Sequence, residues 1–311
     1  MHGSIAFVFP GQGSQSMNML TDLAGSHPLI KEIFAEASAQ LGEDLWSLTQ
    51  DGPVEKLNQT CWTQPVMLAA GYAVYRVWEE EGGVFPDFIA GHSLGEYTAL
   101  VVADAVDFPD AVRLVAERGR LMQHAVPEGV GAMAAVIGLG DDEVKQLCAQ
   151  EAHGEVLAAA NFNAPGQVVV AGNQAAVTRL VESARAAGAK RVVVLPVSVP
   201  SHCSLMMSAA ERFQATLESV QFRSPKAMVV HNADVQNHNT PDSIRAALAQ
   251  QLYSPVRWTD TIRHLARQGA MTFVEMGPGR VLSGLGKRIE PGLTMLHIED
   301  GKSLKAVLEV I

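Results

Sequence analysis

The sequence has little cysteine, a deficit of positive charge and no long apolar run, and each shortage excludes a class of protein. Its three cysteines, Cys61, Cys148 and Cys203, stand far apart with no CxxC pair. That argues against a disulfide framework or a structural zinc site and for a reducing compartment. The first apolar run, Ile5 to Phe9, has no basic leader before it and closes at Pro10-Gly11. It is far too short for a signal peptide or a membrane span, so a cytoplasmic location is expected. With 23 Lys and Arg against 33 Asp and Glu, the formal net charge is -10. The chain therefore has no general attraction for nucleic acid, and an anionic partner has to find a local basic patch. Two such patches stand out, Lys190-Arg191 and the stretch holding Arg280, Lys287 and Arg288. Repeats, low-complexity tracts and long polar linkers are also missing.

What is present is a chain of 311 residues, 48% hydrophobic and 18% charged, able to bury a substantial core in one large domain or two smaller ones. Ile5–Phe9 reads as a buried strand, and Leu29, Ile33, Phe34, Ala37 and Leu41 follow a helical period. Val66 to Trp78 reads as a second helix entered through Pro65 in its first turn, Phe88 to Ala90 as a strand, and Glu96 to Ala105 as a buried helix. This alternation predicts a parallel sheet covered on both faces. Residues 129–198 behave differently. Strands at Ala132–Ile137, Val156–Ala160, Val168–Ala171 and Arg191–Val197 alternate with helices opening at Asp141 and Ala175. That order is βαββαβ, a ferredoxin-like unit. The α/β chain then divides into a large domain, 1–128 with 199–311, and an inserted small subdomain, 129–198, with a cleft at their junction. Met271–Glu275 reads as the last strand.

Gly91-His92-Ser93-Leu94-Gly95 falls between a predicted strand and a predicted helix. Glycines on both flanks permit the tight turn of a nucleophile elbow, which would lift the Ser93 hydroxyl to a helix N-terminus and make the large domain α/β-hydrolase-like. The Leu94 amide then points where an oxyanion forms, and His92 points away to pack. Among ten histidines, His202 is the one that follows the last strand of the small subdomain, where the chain re-enters the large domain at the cleft edge, and it is the candidate base. Arg118 lies within the apolar stripe Ala111, Leu114, Val115, Leu121, Met122 of a helix from Asp110 to His124, whose outer face lets Arg113 pair with Glu117. A buried guanidinium needs an anion. Spacing leaves two choices open, an internal carboxylate or a substrate carboxylate gripped bidentately. The turn Gly11-Gln12-Gly13-Ser14-Gln15-Ser16 has a serine where a dinucleotide fingerprint needs its third glycine, and instead presents Gln12 beside the elbow.

Seven segments in order carry a resemblance over nearly the whole chain: Phe9 to Gln15, Gly91 to Glu96, Arg118-Gly119, Ala159 to Gln167, Pro200-Ser201-His202, Gln251-Leu252-Tyr253 and Glu275 to Gly279. Together they resemble the malonyl-CoA:acyl-carrier-protein transacylases. The resemblance implies Ser93 as acylated nucleophile, His202 as base, Gln12 and the Leu94 amide as oxyanion hole, and Arg118 as the grip on the malonyl carboxylate. It implies that the main-chain carbonyl of Gln251 orients His202 in place of an aspartate, and that Asn161 and Asn163 line the cleft. Met122 and Ser201 join the substrate-binding set. The small Ser201 implies some room for a methylmalonyl group. No metal or cofactor is implied. The implied partners are malonyl-CoA and an acyl carrier protein, with no nucleic acid or membrane, for a monomer. Chain length without flanking linkers points to fatty acid synthesis over a modular polyketide synthase. A serine esterase or thioesterase with the same elbow remains the alternative, as does a nucleotide-binding protein using the Gly11–Gly13 turn; a buried Arg118 speaks against the first.

Overall fold

The computed structural model describes residues 4–197 and 199–311. Among these residues, nine strands form two sheets: β1 (Ser4–Phe9), β2 (Phe88–Gly91), β3 (Gly131–Ile137), β4 (Leu157–Ala164), β5 (Gln167–Asn173), β6 (Arg191–Val194), β7 (Met228–Val230), β8 (Ala270–Met276) and β9 (Thr294–Ile298). The larger sheet runs β7-β2-β1-β8-β9, and every paired strand in it is parallel. Its central strand β1 is buried along Ala6–Phe9, as a continuous apolar run in a sheet with helices on both faces must be. Phe7 and Phe9 face one core with the Thr60–Glu80 helix, while Ala6 and Val8 face the other with Trp258 and Ile262.

The smaller sheet is antiparallel, in the order β4-β5-β3-β6, with the helices Asp141–Glu151 and Gln174–Ala186 packed on it. The molecule is thus a mixed α/β fold with a parallel sheet and a separate small antiparallel one. β6 stops at Val194: Leu195 still donates to Met133 at 2.9 Å, but Pro196 has no N–H to continue the ladder. Within the described residues, no helix is long and apolar enough to cross a membrane.

Three local expectations are corrected. The second helix begins at Thr60, so Pro65 lies inside it. The early turns persist because the helix Phe108–Gln123 lies flat against them at Gly119, where an added Cβ would come within 2.7 Å of the Thr60 carbonyl. Met271–Glu275 is not the last strand, since β9 follows and adds the sheet edge. Arg113 pairs with Asp110 and Glu117 with Arg120, one turn apart in each case, so the Arg113–Glu117 pair does not form.

Candidate functional site

β2 ends at Gly91 and a helix starts at Gly95, and the turn between them holds Ser93 with φ 52°. A left-handed serine costs about 1–3 kcal/mol and persists only where its surroundings enforce it. Here they do. A Cβ on Gly91 would lie 1.8 Å from the Gly95 carbonyl carbon, and one on Gly95 would lie 2.0 Å from the Phe9 oxygen. Asn232 ties the turn from the other side: its Oδ1 accepts from the Ser93 amide at 2.7 Å and its Nδ2 donates to the Gly91 carbonyl at 2.7 Å. Asn232 is itself held by Glu96, whose Oε2 accepts from the Asn232 amide and whose Oε1 pairs with His231 Nδ1, both at 2.8 Å. Among the described residues, the Leu94 amide donates to no other protein group.

His202 is buried and also left-handed, with φ 64° and its amide donating to the Leu252 carbonyl at 3.0 Å. Its Nδ1 lies 2.8 Å from the Gln251 carbonyl and its Nε2 lies 2.8 Å from Ser93 Oγ. A carbonyl can only accept, so Nδ1 carries the proton and Nε2 offers its lone pair to the serine hydroxyl. Burial first, and the Arg118 charge second, push the imidazole down to about 3. It is therefore neutral at physiological pH, the form a base requires.

Arg118 is 1% exposed. Its Nη1 donates to Gln64 Oε1 at 2.8 Å, and its Nη2 donates to Gln251 Oε1 at 2.8 Å and to Ser93 Oγ at 3.2 Å. The guanidinium lies over the Tyr97 ring, 5.3 Å from its centre, and among the described residues its Nε has no partner. Among the described residues, no carboxylate comes within ion-pair distance of it. Of the two possibilities left open by spacing, the internal carboxylate is therefore absent. Desolvation lowers the arginine's affinity for its proton, opposed by Tyr97 and Glu96.

The other predicted residues spread around this centre. Gln12 is exposed, and its Nε2 donates to Thr60 Oγ1 at 3.3 Å. The turn sits hard against the elbow: a Cβ on Gly11 would meet the His92 carbonyl at 2.4 Å. Asn163 Oδ1 lies 2.8 Å from His92 Nε2, and the His92 ring rests on Trp258 at 5.5 Å, turned to packing as expected. Asn161 is buried where β4 bridges to Val256. Ser201 is half-buried beside His202, and buried Met122 accepts from Gln64 Nε2 through its sulfur at 3.6 Å. A surface groove of about 560 Å³ between Phe85–Asp87 and Ser224–Met228 lies at the opposite end of β2 and includes none of these residues.

Four residues at this centre escape a reading of the sequence. Gln64 lies just outside the apolar run from Val66. Glu96 is visible as the start of a buried helix and the end of the Gly91 to Glu96 segment, without a role, and nothing local marks His231 or Asn232. The side chain of Gln251, beyond its carbonyl, also binds Arg118 and donates to the Ser93 carbonyl at 3.0 Å.

A serine hydroxyl on a strained strand-to-helix turn, with an imidazole on it, is the arrangement of enzymes that pass an acyl group through serine. The acyl transferase domain model matches residues 6–290. The malonyl CoA-acyl carrier protein transacylase of Escherichia coli K12 is 53% identical over 305 residues, covering 98% of this chain and 99% of that protein. Its counterpart in Bacillus subtilis is 40% identical over 308 residues, covering 99% and 97%. Among solved structures, a malonyl-transacylase in complex with its type II PKS acyl-carrier protein is 51% identical, with a TM-score of 0.98 over 99% of this chain and 100% of that one. The acyl carrier protein S-malonyltransferase of Vibrio cholerae O1 is 53% identical, with a TM-score of 0.95 over 98% and 99%. The chain belongs to the acyl transferase family, among its malonyl CoA-acyl carrier protein transacylases.

Proposed function

We propose that this chain transfers a malonyl group from malonyl-CoA to the phosphopantetheine thiol of an acyl carrier protein through a malonyl ester on Ser93. One observation carries the reading: a buried Arg118 with no carboxylate partner among the described residues lies 3.2 Å from the same Ser93 Oγ that His202 holds at 2.8 Å. A hydrolase of neutral esters has little use for an open positive charge in its acyl pocket.

His202 Nε2 takes the Ser93 proton as Oγ attacks the thioester carbonyl. The oxyanion is stabilised by the Leu94 and Gln12 amides. The C–S bond breaks, the proton passes from Nε2 to the leaving sulfur, and coenzyme A departs. The carrier's thiol then gives its proton to His202 and attacks the ester carbonyl; the C–Oγ bond breaks and Nε2 returns the proton to Ser93. The Gln251 carbonyl holds the imidazole through the proton on Nδ1, which replaces the aspartate of a triad. Arg118 pairs with the free malonyl carboxylate. Asn161, Asn163, Met122 and Ser201 line the acyl and pantetheine path, and Ser201 leaves room for a methyl branch.

The same reading makes 1–128 with 199–311 an α/β-hydrolase-like domain and 129–198 a ferredoxin-like subdomain. The βαββαβ order and the β4-β5-β3-β6 arrangement support the second assignment. The strained serine after β2 supports the first. Lys190, Arg191, Lys287 and Arg288 are exposed around the small sheet and the Val281–Ile289 helix, and they offer an acidic carrier its landing charge.

Intact-mass spectrometry with peptide mapping after incubation with malonyl-CoA tests the reading. One malonyl adduct on Ser93, absent from Ser93→Ala and discharged by carrier thiol, is the expected result. Rapid release of free malonate with no transfer to the thiol would make the chain a hydrolase instead.

A further inference from the structure

The two groups that hold the Arg118 guanidinium, Gln64 and Gln251, are both amides; at Gln251 the NH2 is used, donating to the Ser93 carbonyl at 3.0 Å, but at Gln64 hydrogen bonding alone does not explain the choice. Arginine only donates, so each glutamine presents its oxygen, at 2.8 Å in both cases. A carboxylate at position 64 has the same shape and accepts the same N–H more strongly. There the amide is a burden. The residue is 1% exposed, and its NH2 finds only the Met122 sulfur, a weak acceptor, at 3.6 Å. A glutamate there would make the better bond to Nη1 and shed the poorly satisfied donor.

We infer that Gln64, with the Gln251 side chain, determines the charge selectivity of the acyl pocket by fixing the Arg118 guanidinium without neutralising it. The inference rests on the malonyl reading above. Among the described residues, no other neighbour forms an ion pair with Arg118. Tyr97 offers a neutral ring face. Glu96, whose field reaches Arg118, spends its two oxygens on His231 and the Asn232 amide. A buried arginine surrounded by neutral acceptors keeps its full charge, and a substrate carboxylate is the anion that completes it. Gln64 touches neither Ser93 nor His202 through any hydrogen bond, so it acts on selectivity through Arg118 and is a positioning residue.

The test compares the rates of Ser93 acylation by malonyl-CoA and by acetyl-CoA in the intact protein and in Gln64→Glu, Gln64→Met and Arg118→Ala. Gln64→Glu keeps the bond to Nη1 and adds one charge. It is expected to cut malonyl acylation by roughly a hundredfold while acetyl acylation holds or rises, so that the ratio collapses. Gln64→Met removes the acceptor but adds no charge, and is expected to slow malonyl acylation less than tenfold with malonyl still preferred. A Gln64→Glu variant that folds and keeps the natural ratio overturns the inference. So does a Gln64→Met variant whose ratio collapses as far as that of Arg118→Ala, because placement rather than neutrality would then be the cause. Failure of the malonyl reading looks different: the unmutated protein would show no preference, or Arg118→Ala would keep it.

Discussion

Two buried charges in this molecule are treated in opposite ways. Glu275, at the end of β8, is fully buried, and its two oxygens accept from the Leu282 and Ser283 amides at 3.0 and 2.7 Å, closing the start of the Val281–Ile289 helix. Burial pushes its carboxyl up and those two amides pull it back. Arg118 is buried to the same degree, yet its Nε is unpartnered and its other contacts are neutral oxygens. A saturated buried charge belongs to the architecture. An unsaturated one is held ready for something that arrives later.

Removing each charge separates the two roles. Arg118→Ala is expected to cost malonyl transfer roughly a hundredfold or more, the scale of a broken buried carboxylate pair. Acetyl transfer should hold steady or rise. Parallel transfer assays with the two donors check this, and equal losses with both would mean the variant is merely damaged. Glu275→Ala should do the reverse. It leaves two buried amides without acceptors and should lower stability by about 2–4 kcal/mol in denaturant unfolding, while the malonyl-to-acetyl ratio of the folded fraction stays unchanged. A shifted ratio would merge the two regions that the comparison keeps apart.

A smaller effect comes through His202. Burial and the Arg118 charge hold its imidazole near 3 against an ordinary 6.5, so the base form persists far into acid. The kcat/KM profile should therefore show no histidine limb near pH 6.5. Arg118→Ala removes one of the depressing causes, so its acid limb, followed with acetyl-CoA, should move to higher pH. An unmoved limb would mean that Arg118 does not act on the base. The smallest expected effect is at the rim. Charge reversal at Lys287 and Arg288 should weaken carrier docking by a few-fold and flatten its salt dependence, without changing acylation of Ser93 by malonyl-CoA.

Much of this was legible along the chain, because its cause is local. Glycines at 91 and 95 around a serine mark a turn that only such residues can make, and period-2 and period-3.6 patterning marks strands and helices. The apolar stripe around Arg118 announces that the residue is buried. What stayed hidden depends on partners far away in sequence. Whether Arg118 met an internal carboxylate was undecidable until residues 64, 93 and 251 were brought around it, from separations of 54, 25 and 133 residues. Asn232 reaches Ser93 across 139 residues, and no spacing rule spans that. The early start of the Thr60–Glu80 helix is hidden for a related reason: packing against Gly119 outweighs the local signal of Pro65. The sequence by itself determined the turns, the periodicities and the residue types that acyl transfer needs, since those follow from each residue's own backbone and side-chain chemistry. The tertiary structure decided which charges are satisfied and which are left open, because that depends on what distant segments place within about 3 Å of a buried group.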